Sequence, residues 1–289
     1  MIKIAVASGK GGTGKTTVSV GLARAFSLLG KSVALVDCDV EEPNCHVFFP
    51  ESRAISRKDV ISLVPHVEED LCSGCRRCYE FCHFNAIVVF DKARILDEFC
   101  HRCGGCNLVC PKGAISEEEV RIGEILEWEV GERFRLREGR LTVGQANPSE
   151  LIKETKDVSW GEVVVIDCPP GTGCSVMEAI EGVDLVVAVV EDTPFGVHDF
   201  EKFLLVTEKM ALDKVVVWNR ADISIGGITK VCADKGIDIV MSIPFMREFQ
   251  ESYARRKDIV SFSQRWRDEF LSLGKVLLNR IEENKRDAT

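Results

Sequence analysis

Residues 9–16 read Gly9-Lys10-Gly11-Gly12-Thr13-Gly14-Lys15-Thr16, and this stretch decides the fold. It follows a short apolar run, Ile2 to Ala7, and precedes a helical pattern that extends to about Leu29. A strand, a glycine loop and a helix in that order form the context of the G-x-x-x-x-G-K-[ST] phosphate loop. Its glycines let consecutive backbone N–H groups surround phosphate oxygens. The motif predicts that Lys15 reaches the β- and γ-phosphates and that Thr16 ligates Mg²⁺. The alternative is a glycine turn that binds nothing, but such a turn would not need every position of the motif to be filled.

The composition excludes several classes of protein. The chain has 289 residues, enough for one large domain or two smaller ones. Lys and Arg number 37 and Asp and Glu number 46, so the net charge is −9, whereas a constitutive nucleic-acid binder carries a basic face. The sequence has neither an apolar run of about 18 residues nor a signal peptide. We therefore expect a cytoplasmic protein that binds no nucleic acid and does not work in a membrane.

Apolar strands alternate with helical patterns over most of the chain. This rhythm predicts an α/β fold, with a mostly parallel sheet and helices on both faces. A buried strand ends at Asp37, and residues between Val120 and Val143 predict a β-meander with a turn at Glu138-Gly139. The last helix, about Gln264 to Glu283, is expected to pack on the sheet, because its mixed charge suits a membrane-targeting helix poorly. The remaining strands are predicted at Val163–Ile166, Leu185–Val190, Val215–Trp218 and Ile237–Ile243.

Eight of the thirteen cysteines lie between Cys72 and Cys110. Disulfides are rare in the cytosol, so this density indicates metal binding. The spacing C-x₂-C-x₂-C-x₃-C occurs twice and is the pattern of two-cluster bacterial ferredoxins. Zinc ribbons use pairs of C-x₂-C instead, without a trailing cysteine. The sequence thus predicts two 4Fe–4S clusters in a small inserted α+β domain, residues 58–117, within an ATPase domain formed by residues 1–57 and 118–289.

The loop K-G-G-T-G-K-T resembles the deviant phosphate loop of the MinD/ParA/nitrogenase-iron-protein superfamily, because Lys10 is a second lysine inside it. The run D-C-P-P-G-T-G, residues 167–173, resembles switch II of the MinD and Mrp branches, and residues 38–44 match switch I. The resemblance covers the whole chain. It implies an ATPase that works as a homodimer or as a heterodimer with a related ATPase, in which Lys10 reaches the nucleotide of the facing subunit.

The same resemblance implies a role for individual residues. Asp39 would orient the attacking water, Asp167 would hold Mg²⁺ together with Thr16, and the Gly171 N–H would contact the γ-phosphate. Asp37 would either serve the metal or cap its strand. The expected contacts of ATP or ADP are Gly11, Gly12, Thr13, Gly14, Lys15, Thr16 and Thr17 on the phosphate side, and Asn219, Arg220 and Pro244 on the adenine side. For the residues on the adenine side, the alternative is that they form ordinary turns at strand ends and bind nothing.

In the ferredoxin pattern, the fourth cysteine of each run ligates the other cluster. His83 departs from the family, which commonly has proline after that cysteine. No C-x-x-C pair accompanies Cys38, Cys168 and Cys174 near the switches, so a shared cluster there has little support. By resemblance, cluster 1 takes Cys72, Cys75, Cys78 and Cys110, and cluster 2 takes Cys100, Cys103, Cys106 and Cys82.

Three classes of function fit these features. The first is an ATP-gated electron carrier, the second an assembly or carrier ATPase for iron–sulfur clusters or other metallocofactors, and the third a positioning ATPase. Eight ligands in one chain hold clusters permanently, whereas a carrier needs labile clusters. The cysteines therefore favour the first class, with a redox or cofactor-assembly protein as partner.

Overall fold

The computed structural model describes residues 1–287, and strands make up its centre. Nine strands form one sheet and two form a small hairpin. In chain order, the strands are β1 (Ile2–Ala7), β2 (Val33–Asp37), β3 (Arg53–Val67), β4 (Ile87–Val89), β5 (Ala93–Ile95), β6 (Ile115–Gly131), β7 (Phe134–Leu141), β8 (Val163–Asp167), β9 (Leu185–Glu191), β10 (Lys214–Asn219) and β11 (Ile239–Ile243).

The helices connect these strands and cover both faces of the sheet. A 3₁₀-helix, Cys45–Phe48, follows switch I. None of the helices described in residues 1–287 is long and apolar enough to cross a membrane. They are α1 (Lys15–Leu28), α2 (Arg77–Phe81), α3 (Gly105–Leu108), α4 (Ser149–Lys156), α5 (Cys174–Ile180), α6 (Pro194–Lys209), α7 (Gly227–Lys235), α8 (Arg247–Ala254), α9 (Ile259–Phe262) and α10 (Gln264–Asp287).

The large sheet has the order β11-β10-β9-β1-β8-β2-β7-β6-β3. Neighbours from β11 to β7 pair in parallel, whereas β6 is antiparallel to β7 and β3 is antiparallel to β6. The predicted α/β fold with a mostly parallel sheet is therefore confirmed. In such a sheet, the carboxyl ends of the parallel strands share one edge, where ligands bind.

Each face of the sheet has its own apolar core. On one face, α1 and α10 pack together and bury large side chains that include Phe26, Trp266 and Phe270. On the other face, the core includes Ile152 of α4 and Phe203 of α6. The central strands are apolar and buried on both sides, as parallel strands between two helical layers must be. The last helix thus packs on the main core, as expected.

Strands β3 and β6 form a long antiparallel ribbon, paired from Arg53 with Glu129 to Val67 with Ile115. One end of the ribbon joins the main sheet through β7. Residues 68–114, which we call the cysteine module, continue from its other end and have a separate small core. The predicted domain boundaries at 58 and 117 fall inside the two ribbon strands, so the division into domains stays a prediction.

The predicted turn at Glu138-Gly139 is wrong, because both residues lie inside β7. The chain reverses instead between Gly131 and Phe134, which are register partners at the end of the β6–β7 pair. Gly139 serves close packing: a Cβ there would lie 2.4 Å from Thr155 Oγ1 and 2.7 Å from Val40 Cγ1. A glycine inside a strand can mark such an approach as well as a turn.

Candidate functional site

The phosphate loop connects β1 to α1 at the carboxyl edge of the sheet. Gly12 and Gly14 have φ angles of 75° and 94°, which favour glycine, and α1 begins at Lys15. A Cβ on Gly9 would lie 2.2 Å from the Asp199 carbonyl oxygen, so only glycine fits there. Thr13 Oγ1 is buried without a hydrogen-bond partner among the described residues. A loop of this shape, with a buried lysine at its end, fits a phosphate group.

The two strand-end aspartates meet because β2 and β8 are neighbours, with Asp37 and Asp167 as register partners. The Ser19 hydroxyl donates to Asp167 Oδ1 at 2.8 Å, and the Cys45 thiol lies 3.5 Å from Asp167 Oδ2. Asp37 accepts backbone N–H bonds from Asp39 at 3.1 Å, Asn44 at 2.9 Å and Cys45 at 3.0 Å. The Asp37 carboxyl group therefore caps the loop that follows its strand.

Burial dominates the charge state of these carboxyl groups. It raises the pKa of Asp37 to about 8, and the nearby Asp167 adds to that shift. Burial also raises the pKa of Asp167, although hydrogen bonds from the Thr16 and Ser19 hydroxyls oppose the increase. Two buried carboxyl groups on adjacent strands favour a cation beside them. The Thr16 and Asp167 side chains thus fit the predicted Mg²⁺ site.

Asp39 lies in switch I, beside the same group of charges. Burial raises its pKa to about 6, Asp167 contributes to the increase, and Lys15 opposes it. A carboxyl group with a pKa near 6 is ionised at neutral pH and still basic enough to assist a proton transfer. On the other switch, Gly171 has a φ of 100°, and its N–H donates to the Ser8 carbonyl oxygen at 3.2 Å.

A cavity of about 450 Å³ opens beside the phosphate loop. It brings together six residues predicted to contact nucleotide: Gly12, Gly14, Thr17, Asn219, Arg220 and Pro244. Apolar walls that the sequence analysis missed are Phe245, Met246, Phe249 and Tyr253. The only sequence signal for these walls is the spacing of the aromatic residues after Pro244. That spacing alone does not show that α8 turns toward the phosphate loop.

Asn219 holds the phosphate loop directly. Its Nδ2 donates to the Thr13 carbonyl oxygen at 2.7 Å, and a Cβ on Gly14 would lie 2.6 Å from the same nitrogen. Lys10 extends across the loop to Glu191, which ends β9, with 3.1 Å between Lys10 Nζ and Glu191 Oε2. Glu191 was not predicted to contact Lys10, because the two residues are 181 positions apart in the chain.

The cysteine module has two cavities, and each is lined by four cysteines. The first is lined by the four predicted ligands of cluster 1: Cys72, Cys75, Cys78 and Cys110. The second is lined by the four predicted ligands of cluster 2: Cys82, Cys100, Cys103 and Cys106. In each cavity, the fold thus places the last cysteine of one run beside the first three cysteines of the other run.

Backbone N–H groups point at two sulfur atoms of the cysteine module, from Ala93 to Cys72 at 3.4 Å and from Ala114 to Cys110 at 3.3 Å. Such bonds stabilise thiolate ligands.

The other five cysteines lie outside the module. Cys38, Cys45 and Cys168 are buried near the two switches, and burial raises the pKa of each thiol. Cys232 is buried in the core beside α6, as expected of a small apolar side chain. Cys174 is exposed at the start of α5.

The strand order and the loop between β1 and α1 define a nucleotide-binding protein of the P-loop class. The model of the CobQ/CobB/MinD/ParA nucleotide-binding domain matches residues 4–259, so the chain belongs to that family. Its MinD/ParA members are ATPases.

The chain is also similar to curated proteins and to solved structures. An uncharacterized protein of Methanocaldococcus jannaschii is 29% identical over 270 residues, which cover 91% of this chain and 93% of that protein. An iron-sulfur cluster carrier protein of Pyrococcus furiosus is 26% identical in an alignment that covers 99% of this chain and 88% of that protein. Among solved structures, the septum site-determining protein MinD of Pyrococcus horikoshii, complexed with Mg-ADP, has a TM-score of 0.58 at 19% identity, covering 96% and 95% of the two chains.

Proposed function

We propose that this chain is an ATP-hydrolysing iron–sulfur protein, in which a nucleotide-driven dimer switch controls electron transfer through two 4Fe–4S clusters. The single observation that carries the proposal is the pair of cavities, each lined by four cysteines of the same chain. A cluster with all four ligands in one chain has no ligand to lose when subunits separate. The clusters would accept and donate single electrons.

The nucleotide site supplies the chemistry of hydrolysis. Lys15 neutralises charge on the β- and γ-phosphates, and Thr16 and Asp167 hold Mg²⁺. Asp39 orients a water molecule for attack on the γ-phosphate, since its carboxylate lies in switch I, next to Lys15 and Asp167. The apolar walls around Phe245 and Phe249 enclose the base. Family membership and the open cavity beside the loop support this part of the proposal.

Hydrolysis then acts on the dimer. In the proposed dimer, Lys10 reaches the phosphates of the facing subunit, so its charge is available only when two subunits meet. Loss of the γ-phosphate removes the contacts of Asp39, Gly171 and Lys10 together, which releases both switches. The subunits would be two copies of this chain or this chain with a related ATPase.

Retention of iron tests the proposal. Holoprotein prepared anaerobically with labelled iron is reduced, supplied with Mg-ATP and followed over many turnovers in the presence of an apoprotein acceptor. We expect the label to stay on this chain, while ATP, unlike ADP, changes the rate at which the reduced clusters are reoxidised. Equal reoxidation rates with ATP and ADP would overturn the coupling.

An iron–sulfur cluster or metallocofactor carrier is the second candidate, favoured by the similarity to the carrier protein of Pyrococcus furiosus. The same experiment separates the two functions. If this chain is a carrier, labelled iron leaves it during ATP turnover and appears in the acceptor. The Cys174→Ser variant is the control in this experiment, because Cys174 is exposed beside switch II and belongs to neither cavity.

A further inference from the structure

We infer that nucleotide state is transmitted to cluster 2 and not to cluster 1, through the helix α4. The inference rests on the proposed function and names the route by which its two sites communicate. The chain itself offers another route, because switch I leads through β3 directly to Cys72 of cluster 1. The side-chain contacts favour α4 instead.

The carboxyl-terminal end of α4 contacts the elements that follow both switches. Thr155 is buried against Gly139, and Val40, the residue after Asp39 in switch I, lies against the same glycine. The Lys156 ammonium donates to the carbonyl oxygens of Glu178 and Glu181, the latter at 3.0 Å. Those carbonyl groups lie at the end of α5, which begins directly after the glycine loop of switch II. Movement of either switch therefore acts on the same end of α4.

The opposite end of α4, together with the loop that leads into it, holds the cysteine loop of cluster 2. Asn147 Nδ2 donates to the Cys100 carbonyl oxygen at 3.0 Å. The Arg102 guanidinium donates to Gln145 Oε1 at 2.9 Å and lies 3.4 Å from Glu150 Oε2. The Arg102 side chain is 8% exposed and that of Glu150 is 43% exposed, so water reaches this ion pair from the carboxylate side only. Arg102 stands between the ligands Cys100 and Cys103, and its own N–H lies 3.4 Å from Cys100 Sγ.

The polar contacts of the cluster 1 loop come from the module itself. Lys92 Nζ donates to the Cys72 carbonyl oxygen at 2.5 Å, and Ala93 donates to the Cys72 sulfur. A Cβ on Gly74 would lie 2.5 Å from the Asp91 carbonyl oxygen. This loop therefore moves with the module, whereas the loop of cluster 2 is bonded to the ATPase part.

The helix is suited to carry a displacement. Its eight residues span about 12 Å, and it packs against α5, β7 and β6 along its length. A two-turn helix held on several sides moves as a rigid element and not by local bending. The contacts at its two ends are thus mechanically linked, and a shift of Val40 or α5 reaches Arg102.

The test compares amide hydrogen exchange of the two cysteine loops in anaerobic holoprotein. The Asp39→Asn variant, which we expect to bind Mg-ATP and hardly hydrolyse it, is studied with Mg-ATP and with Mg-ADP. We expect a several-fold difference in exchange between the two nucleotides at residues 99–104 and none at residues 73–78. Switch I, residues 38–44, reports nucleotide binding in the same spectra.

Two variants separate the route from its alternatives. Gln145→Ala, Asn147→Ala and Glu150→Ala together remove the side-chain bonds to Arg102 and to the Cys100 carbonyl group and leave every cysteine in place; this triple variant should abolish the response at residues 99–104 but not at switch I. The matched control is Lys92→Ala, which removes a comparable bond to a cysteine loop and should leave the response intact. A response of residues 73–78 as large as that of residues 99–104, or a response of residues 99–104 that survives the triple variant, would overturn the inference.

The outcome at switch I distinguishes this inference from the proposed function. No response at residues 38–44 would mean that nucleotide does not move the switches, and both proposals would fail. A response at switch I with none at residues 99–104 would leave the ATP-driven switch standing and overturn only the α4 route.

Discussion

Lys10 and Glu191 form an ion pair within one subunit, with 3.1 Å between Nζ and Oε2. The Glu191 side chain is 6% exposed, and its other oxygen lies 3.0 Å from an Arg220 Nη1. A charge pair that is shielded from water is attracted more strongly than an exposed one. Because Lys10 is the residue proposed to act across the dimer, Glu191 holds it on its own subunit. Dimerisation then requires Lys10 to exchange Glu191 for the partner's phosphates.

Removal of this competition should favour the dimer. The Glu191→Gln variant keeps the shape of the side chain and removes its charge, so Lys10 is released. We expect the dimer dissociation constant with Mg-ATP to fall by about three- to tenfold, or about 0.7–1.4 kcal/mol, as measured by sedimentation equilibrium. The matched control is Glu208→Gln, which removes an exposed ion pair with Lys235 and should change nothing. An unchanged or weaker dimer in Glu191→Gln would contradict this role.

The two lysines of the phosphate loop should have different effects. Lys15→Ala removes the charge that neutralises the β/γ-phosphates, so Mg-ATP binding should be lost in calorimetric titrations. Lys10→Ala should still bind Mg-ATP as a monomer but should lose dimerisation and turnover together. Full ATPase activity in a monomeric Lys10→Ala protein would rule out the two-subunit mechanism.

Hydrolysis should depend on pH through Asp39. Its pKa is raised to about 6, mainly by burial, and the ionised form is the one that orients water. The ionised fraction grows as pH rises through that value, so kcat/KM should increase between about pH 5 and pH 7 and then level off. Asp39→Asn should bind ATP, hydrolyse it hardly at all and show no such rise. A flat profile in the unaltered protein would show that Asp39 is not the titrating group.

Iron content should follow the two cysteine sets. Anaerobically purified protein should carry about eight iron and eight acid-labile sulfide atoms per chain. Cys103→Ser should lose about half of the iron and destabilise the module while ATP binding continues, because one cluster loses a ligand. Cys174→Ser changes an exposed cysteine that lies outside both cavities, so this variant should retain all of its iron. Stoichiometric zinc without a charge-transfer band would refute the clusters.

The packing of α4 on β7 can be tested through stability. Gly139→Ala places a methyl group against Thr155 and Val40, and should reduce the free energy of unfolding by about 1–3 kcal/mol. Gly131→Ala, at the turn that leads into the same strand, meets nothing within 4 Å and should change it by less than about 0.5 kcal/mol. Urea denaturation measures both. Equal effects would mean that Gly139 is not in close contact with α4.

Features that depend on neighbouring residues in the chain were determined by the sequence alone. The phosphate loop needs a strand, a glycine turn and a helix in succession, all of which lie within residues 2–29, and the alternation of strands and helices predicts the sheet. The spacing of the eight cysteines likewise predicts two groups of four. Where a local signal had two meanings, as at Gly139, the prediction failed because close packing and a turn both select glycine.

Only the tertiary structure decided which distant residues meet. Glu191 faces Lys10 because β9 lies beside β1, and Phe249 lines the cavity beside the phosphate loop because α8 turns toward that loop. The bonds from Arg102 to Gln145 and Glu150 depend on how the cysteine module lies beside α4. No periodicity marks these pairs, since strand order and register arise from packing the whole sheet between its two helical layers.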